Sequence, residues 1–172
     1  ETAKVNLARY FSPDMVDELA SMSDPFAAAR ETHAAVMFVD IIGSTAMAAA
    51  LGAEPTFALL REFYDLMASA VFAANGSVDK YLGDGLMANF GATENSGQDA
   101  SNAIRCARAM QGAMTELNEV RAADGKLTFD IAIGIHHGPV LVGNIGNEQR
   151  LEFATLGDTV NIAARLEDLS RS

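Results

Sequence analysis

Cysteine is nearly absent from this chain. Cys106 stands alone, so no disulfide can close within it, and such usage fits a reducing compartment. No apolar run approaches the roughly 20 residues that a membrane-spanning helix needs. The first residues mix acids and bases and lack the apolar core of a secretory signal. These absences predict a soluble domain, with the cytoplasm as its expected location. Positive charge is also scarce, since 12 Lys and Arg stand against 23 Asp and Glu, for a net charge of −11 without any basic cluster. That balance argues against nucleic acid and anionic membranes as partners. It also means that an anionic ligand such as a nucleotide would need bound cations to bring positive charge to it. A Cys/His cluster of zinc spacing, internal repeats and low-complexity tracts are missing too.

What remains is a core-forming chain. With 172 residues, 49% of them apolar, the sequence predicts one domain. Residues 1–33 read as a linker with a short helix, where Ser12-Pro13-Asp14 supplies a cap, a helix-starting proline and a first-turn acid ahead of Met15, Val16 and Leu19. Ser23-Asp24-Pro25 marks a break. From residue 34 the pattern changes. Residues 35–42 are almost continuously apolar, as in a strand buried on both faces. Phe57, Leu60, Phe63, Met67 and Val71 recur at helical spacing up to Asn75-Gly76. Residues 77–82 and 86–90 flank Gly83-Asp84-Gly85, a hairpin signal. Ile104, Ala107, Met110, Met114 and Leu117 predict a second long helix, opened by a capping box at Ser96-Gly97-Gln98-Asp99. Residues 127–136 alternate as a strand. Gly138-Pro139 is expected to turn the chain into 140–142, and Gly143-Asn144-Ile145-Gly146 to turn it again. A last helix starts near Asp158. The order predicts an α+β fold, a ferredoxin-like βαββαβ core with an added hairpin and helix.

Two acids sit at strand ends. Asp84 has an ordinary explanation, because Asp-Gly suits a type I′ hairpin turn, and Asp40 could simply mark a strand's exit to solvent. In a split βαβ fold, however, the first strand and the hairpin are neighbours, so both carboxylates can meet. Two close carboxylates repel unless a cation lies between them, and an oxygen-only donor set beside phosphate favours Mg²⁺ or Mn²⁺. Lys80 by itself reads as a solvent-facing strand lysine. Asn161 and Arg165 lie at i and i+4 on one helix face, which suits a phosphate-bearing ligand or, equally, an exposed surface. His136-His137 point to opposite faces of a strand and are not expected to share an ion. The eight methionines fall at core-like positions and read as packing.

Several segments together resemble a known family. Phe38-Val39-Asp40-Ile41-Ile42-Gly43-Ser44-Thr45 and Lys80-Tyr81-Leu82-Gly83-Asp84 resemble the two metal-binding segments of class III nucleotidyl cyclases, especially bacterial adenylate cyclases. Gly134-Ile135-His136-His137-Gly138, Gly143-Asn144-Ile145-Gly146 and the run from Leu156 to Leu166 resemble the family as well. The likeness covers 34–172, which identifies that stretch as the catalytic domain. The residues from Asn6 to Pro13 resemble the linker that joins such domains to an upstream sensor or membrane region.

The resemblance implies conversion of ATP to 3′,5′-cyclic AMP and pyrophosphate. Asp40 and Asp84, with the carbonyl of Ile41, would hold two Mg²⁺ or Mn²⁺ ions per site, and Gly43, Ser44 and Thr45 would contact phosphate. Asn161 would orient the ribose and Arg165 would stabilise charge on the α-phosphoryl group. Those two, with the base-reading pair, would come from the opposite protomer of a homodimer with two sites. Lys80 would select adenine. Its usual partner, an Asp or Thr seven residues before Asn161, is here Ala154, which has no acceptor, while Thr155 would point the other way. ATP is still the expected substrate, because Lys80 would set a donor against the N1–H donor of guanine. Relaxed choice between ATP and GTP, and a catalytically silent regulatory role, are the alternatives. No Gly-Gly-Asp/Glu-Glu-Phe hairpin of a diguanylate cyclase is present. The family usually continues with a further hairpin, so the C-terminal end is expected to be truncated at Ser172.

Overall fold

The computed structural model describes residues 29–147 and 150–171. Strand β1 (Arg30–Ile41) organises the molecule because alternate residues feed two different cores. Ala35, Met37, Val39 and Ile41 enter the larger core. There they meet Leu59, Phe63, Met67 and Val71 of α2 (Ala53–Ala73), together with Ala103, Cys106, Met110 and Met114 of α3 (Asp99–Ala123). Ala34, Val36 and Phe38 face the second core with Met87 of β3 (Gly85–Phe90), Val140 and Val142 of β4 (Ile131–Asn147), Phe153 of β5 (Arg150–Leu156) and Ala163 of α4 (Asp158–Leu169). Two apolar faces on one strand explain its nearly unbroken apolar run.

With β2 (Ser77–Tyr81), the sheet order is β2-β3-β1-β4-β5, and every neighbouring pair is antiparallel. The first four strands have the ferredoxin-like order; β5 and α4 are the added hairpin arm and helix, so the α+β expectation holds. The predicted N-terminal helix around Ser12-Pro13-Asp14 lies outside the described residues.

Several local expectations need correcting. Gly138-Pro139 and Gly143-Asn144-Ile145-Gly146 do not turn the chain; both lie within β4, which runs unbroken for 17 residues. Proline is tolerated there because of the register. The Asp130 carbonyl accepts the Ile42 N–H, which in the regular β1–β4 pairing turns the even-numbered residues of β4 toward β1 and Pro139 away from it. There the Pro139 carbonyl accepts the Thr159 hydroxyl at 2.8 Å. Its backbone edge therefore faces away from β1, and β5 pairs only from Leu141 onward, so no ladder donor is missed. The strand also starts later than predicted. Asn118 bonds the Phe129 carbonyl and N–H at 2.8 and 3.2 Å, and Arg121 bonds the Leu127 carbonyl at 2.7 Å, so this stretch satisfies its backbone outside the sheet. β1 reaches back to Arg30, earlier than the apolar run suggests, through pairing of 30–33 with 139–142. A helix the sequence reading omitted, α1 (Ser44–Leu51), follows Asp40 directly. The box at Ser96 forms in part: Asp99 Oδ1 accepts the Ser96 N–H and hydroxyl, whereas the Ser96 hydroxyl caps Gln98 rather than Asp99.

Candidate active site

Register brings the two strand-end acids together. Asp40 lies opposite Gly85, and the Ile41 N–H donates to the Asp84 carbonyl at 3.1 Å. The β2–β3 connection closes with the Leu82 N–H on the Gly85 carbonyl at 2.8 Å. Gly83 sits at φ 69°, while Asp84 keeps negative φ. That is the pattern of a II′ turn with glycine first, not the I′ turn by which Asp-Gly was explained above. Asp84 is therefore not held in place by turn chemistry of its own. Two outside contacts fix the turn: the Tyr64 hydroxyl of α2 donates to the Gly83 carbonyl, and the Ser44 hydroxyl donates to Asp84 Oδ2.

Asp40 is in an unfavourable setting for a charged carboxylate. Burial, and then the neighbouring Asp84 charge, push its carboxyl up to about 6, against the opposing pull of Arg171. Arg171 donates to Asp40 Oδ2 at 2.5 Å and is itself held by Glu167, Nε to Oε1 at 2.8 Å. Asp40 Oδ1 is buried and has no hydrogen-bond partner among the described residues. A buried unpartnered oxygen beside a second carboxylate is the arrangement a cation resolves. Among the described residues no group of three or more His, Cys, Asp or Glu could hold a metal alone. The donors present, Asp40, Asp84 and the Ile41 carbonyl, fit Mg²⁺ or Mn²⁺, which take one or two carboxylates and draw further ligands from water and phosphate.

The other predicted residues occupy distinct places. Gly43 adopts φ 72° and opens α1, so Ser44 and Thr45 form its first turn; the Gly43 carbonyl accepts the Met47 N–H, leaving the earlier N–H groups without a helical acceptor. Ser44 is already committed to Asp84. Asn161 and Arg165 are exposed on α4, and neither side chain has a hydrogen bond or ion pair among the described residues. In this single chain Arg171, not Arg165, meets Asp40.

Lys80 is not a free surface lysine. It bonds Glu152 of β5 at 3.0 Å and lies 3.6 Å from Asp79. Its own burial would lower its pKa, but these carboxylates outweigh that and hold it above the usual lysine value. Ala154 is buried in β5, and Thr155 donates to Asp79 Oδ2 at 2.9 Å. Sequence reading did not single out Asp79, Glu152, Glu167 or Arg171. Only the Glu167–Arg171 spacing of four carries a signal; the rest are contacts between residues 72 to 131 positions apart.

The model of the adenylate and guanylate cyclase catalytic domain matches residues 26–172. Adenylate cyclase 1 of Rhizobium meliloti is 33% identical over 144 residues, 84% of this chain and 22% of that protein. Among solved structures, the adenylyl cyclase CyaB from P. aeruginosa is 32% identical with a TM-score of 0.79, covering 83% of this chain and 74% of that one. The guanylyl cyclase Cya2 is 30% identical with a TM-score of 0.78, covering 83% and 73%. The chain spans 22% to 28% of the length of the curated relatives it matches. A family match that spans every described residue, joined to the carboxylate pair, leads to one conclusion: this chain belongs to the adenylate and guanylate cyclase catalytic domain family.

Proposed function

We propose that this domain converts ATP to 3′,5′-cyclic AMP and pyrophosphate at the interface of a homodimer, as the signalling output of a longer protein with an upstream sensor or membrane region. The observation that carries the reading is the Asp40–Asp84 pair, with a buried Asp40 oxygen that no group among the described residues satisfies. Asp40, Asp84 and the Ile41 carbonyl would hold two ions. Bound there, Mg²⁺ or Mn²⁺ supplies positive charge that acidifies the ribose 3′-hydroxyl and offsets the triphosphate.

The chain's own groups then position and stabilise. The free N–H groups after Gly43, at Ser44 and Thr45, would meet phosphate oxygens at a helix start. Asn161 of the other protomer would orient the ribose. The 3′-oxygen bonds to the α-phosphorus, the bond to the bridging oxygen breaks, pyrophosphate leaves with that electron pair, and the hydroxyl proton passes to solvent. Arg165 would stabilise charge building on the α-phosphoryl oxygens. Because the attack is intramolecular, orientation supplies much of the acceleration. Lys80 would donate to adenine. Ala154, lacking an acceptor, favours a second reading in which choice between ATP and GTP is relaxed.

Turnover of ATP and GTP, with Mg²⁺ and with Mn²⁺, across protein concentration tests the proposal. Cyclic AMP formation that disappears in Asp40→Ala, and rises faster than linearly with protein at low concentration, is expected. Nucleotide binding without product in either metal would replace the enzyme with a silent regulatory domain.

A further inference from the structure

We propose that Glu152, paired with Lys80, is the acceptor through which this chain reads the adenine amino group, in place of the side chain that Ala154 lacks. The inference rests on the cyclase reading above and assigns its base-recognition residue.

The pairing of β4 with β5 runs in regular register from Leu141 opposite Leu156 to Asn147 opposite Arg150. Regular register places Glu152 and Ala154 on one face of β5, two residues apart, and Phe153 and Thr155 on the other. Thr155 cannot stand in for the missing acceptor, because it is buried and donates to Asp79. Asp79 cannot either, since its side chain is 0% exposed. Glu152 can: its side chain is 58% exposed, and Lys80, its partner at 3.0 Å, is 36% exposed.

A fault in β2 builds this pair. The ladder to β3 shifts register between Val78 and Lys80, leaving Asp79 as the extra residue. A bulge of this kind turns successive side chains toward the same side, so Asp79 and Lys80 both face β5. Asp79 anchors the contact by accepting the Thr155 hydroxyl, and its Oδ1 lies 3.6 Å from the lysine ammonium. Lys80 is thereby held beside Glu152 instead of sweeping through solvent.

The pair presents one donor next to one acceptor. Adenine offers the complement, with N1 accepting from Lys80 and the 6-amino group donating to Glu152. Guanine in the same pose sets N1–H against the ammonium and O6 against the carboxylate, two mismatches. Glu152 thus restores the selectivity that Ala154 alone would give up.

Three substrates separate this role from a structural one: ATP, GTP and purine riboside 5′-triphosphate, which lacks the 6-amino group. Each is measured by kcat/KM and by equilibrium binding on wild type, Glu152→Ala and Glu152→Gln. Wild type is expected to favour ATP over the 6-desamino nucleotide by about tenfold or more, because a site built to bond a group penalises its absence. Glu152→Ala should bring that ratio close to one and raise GTP relative to ATP. Glu152→Gln, which keeps an acceptor oxygen, should recover most of the discrimination against the 6-desamino nucleotide. An unchanged ratio in Glu152→Ala overturns the assignment while leaving the cyclase intact. Absence of turnover in wild type sinks the cyclase reading instead, and the binding ratios then decide Glu152 by the same criterion. Absence of binding by all three nucleotides overturns both.

Discussion

Asp40 is caught between two protonation states, and its surroundings say which the metal-free protein prefers. Burial and the adjacent Asp84 raise its carboxyl to about 6, above the ordinary aspartate range near 4. The folded protein therefore holds a proton at Asp40 that the unfolded chain has released. Stability from this group is present below the unfolded value and is lost as pH rises through about 6. Thermal melts in chelator should show wild type gaining stability on acidification between about pH 6 and pH 4 relative to Asp40→Asn, which cannot titrate. A parallel slope in the two proteins would contradict the assignment. Mn²⁺ should reverse the trend, because the ion needs the deprotonated carboxylate. Cys106 makes a second residue-scale case. Burial, against a smaller opposing effect of Arg105, pushes its thiol up to about 12, so almost no thiolate exists at pH 8. Iodoacetamide should leave the native protein unmodified for hours at that pH and label it rapidly in denaturant.

At the scale of elements, α4 carries Asn161 and Arg165, and its seating depends on one glycine. A Cβ at Gly134 of β4 would lie 2.2 Å from the Glu167 nitrogen and 2.3 Å from the Ala163 carbonyl oxygen, both backbone atoms that no rotamer change can move. Gly134→Ala should therefore lift α4 from the sheet, costing about 1–3 kcal/mol in denaturant melts. Cyclic nucleotide formation should fall further than the loss of folded protein accounts for, since Arg165 moves with the helix. Wild-type turnover in a folded Gly134→Ala protein would show that the seating of α4 does not matter. Element order was readable because periodicity is local: β1 announces its two buried faces, and α2 and α3 their apolar stripes. β4 was misread because Gly138, Pro139 and Gly143 are turn signals unless a neighbour makes them acceptable. Here α4 presses on the strand through Thr159, and β5 leaves the edge at Pro139 open. α1 was missed because its alanines give no amphipathic contrast and only Met47 is buried. The acids of the site were visible as exceptions to apolar strands. The Asp79–Lys80–Glu152–Thr155 cluster was not, because it depends on a bulge and on β5 lying over β2.

At the scale of the whole molecule, the proposed function divides the site residues between two protomers. Among the described residues, Asp40 Oδ1 is buried without a hydrogen-bond partner, and Asn161 and Arg165 are exposed with no hydrogen bond or ion pair. Tyr81, Leu82, Ile145, Leu156, Ile162 and Leu166 add exposed apolar surface on β2, the turn after it, the β4–β5 arm and α4. Under the proposed function the metal-binding acids of one protomer and Asn161 and Arg165 of the other would meet on the same bound nucleotide, and two-fold symmetry would repeat that site twice. Complementation tests this without a structure of the pair. Asp40→Ala and Arg165→Ala should each be nearly inactive alone, because every site in either homodimer lacks one half. Mixed and allowed to exchange, a heterodimer contains one site with both defects and one with neither. If subunits assort at random, half the dimers are mixed and each has one working site of two, so activity should return to about a quarter of wild type. The recovery should vanish when both substitutions are placed in the same chain and mixed with either single variant. Failure of the two single variants to recover any activity, with subunit exchange verified by mass, would place Asp40 and Arg165 in the same protomer's site and remove the reason for an obligate dimer.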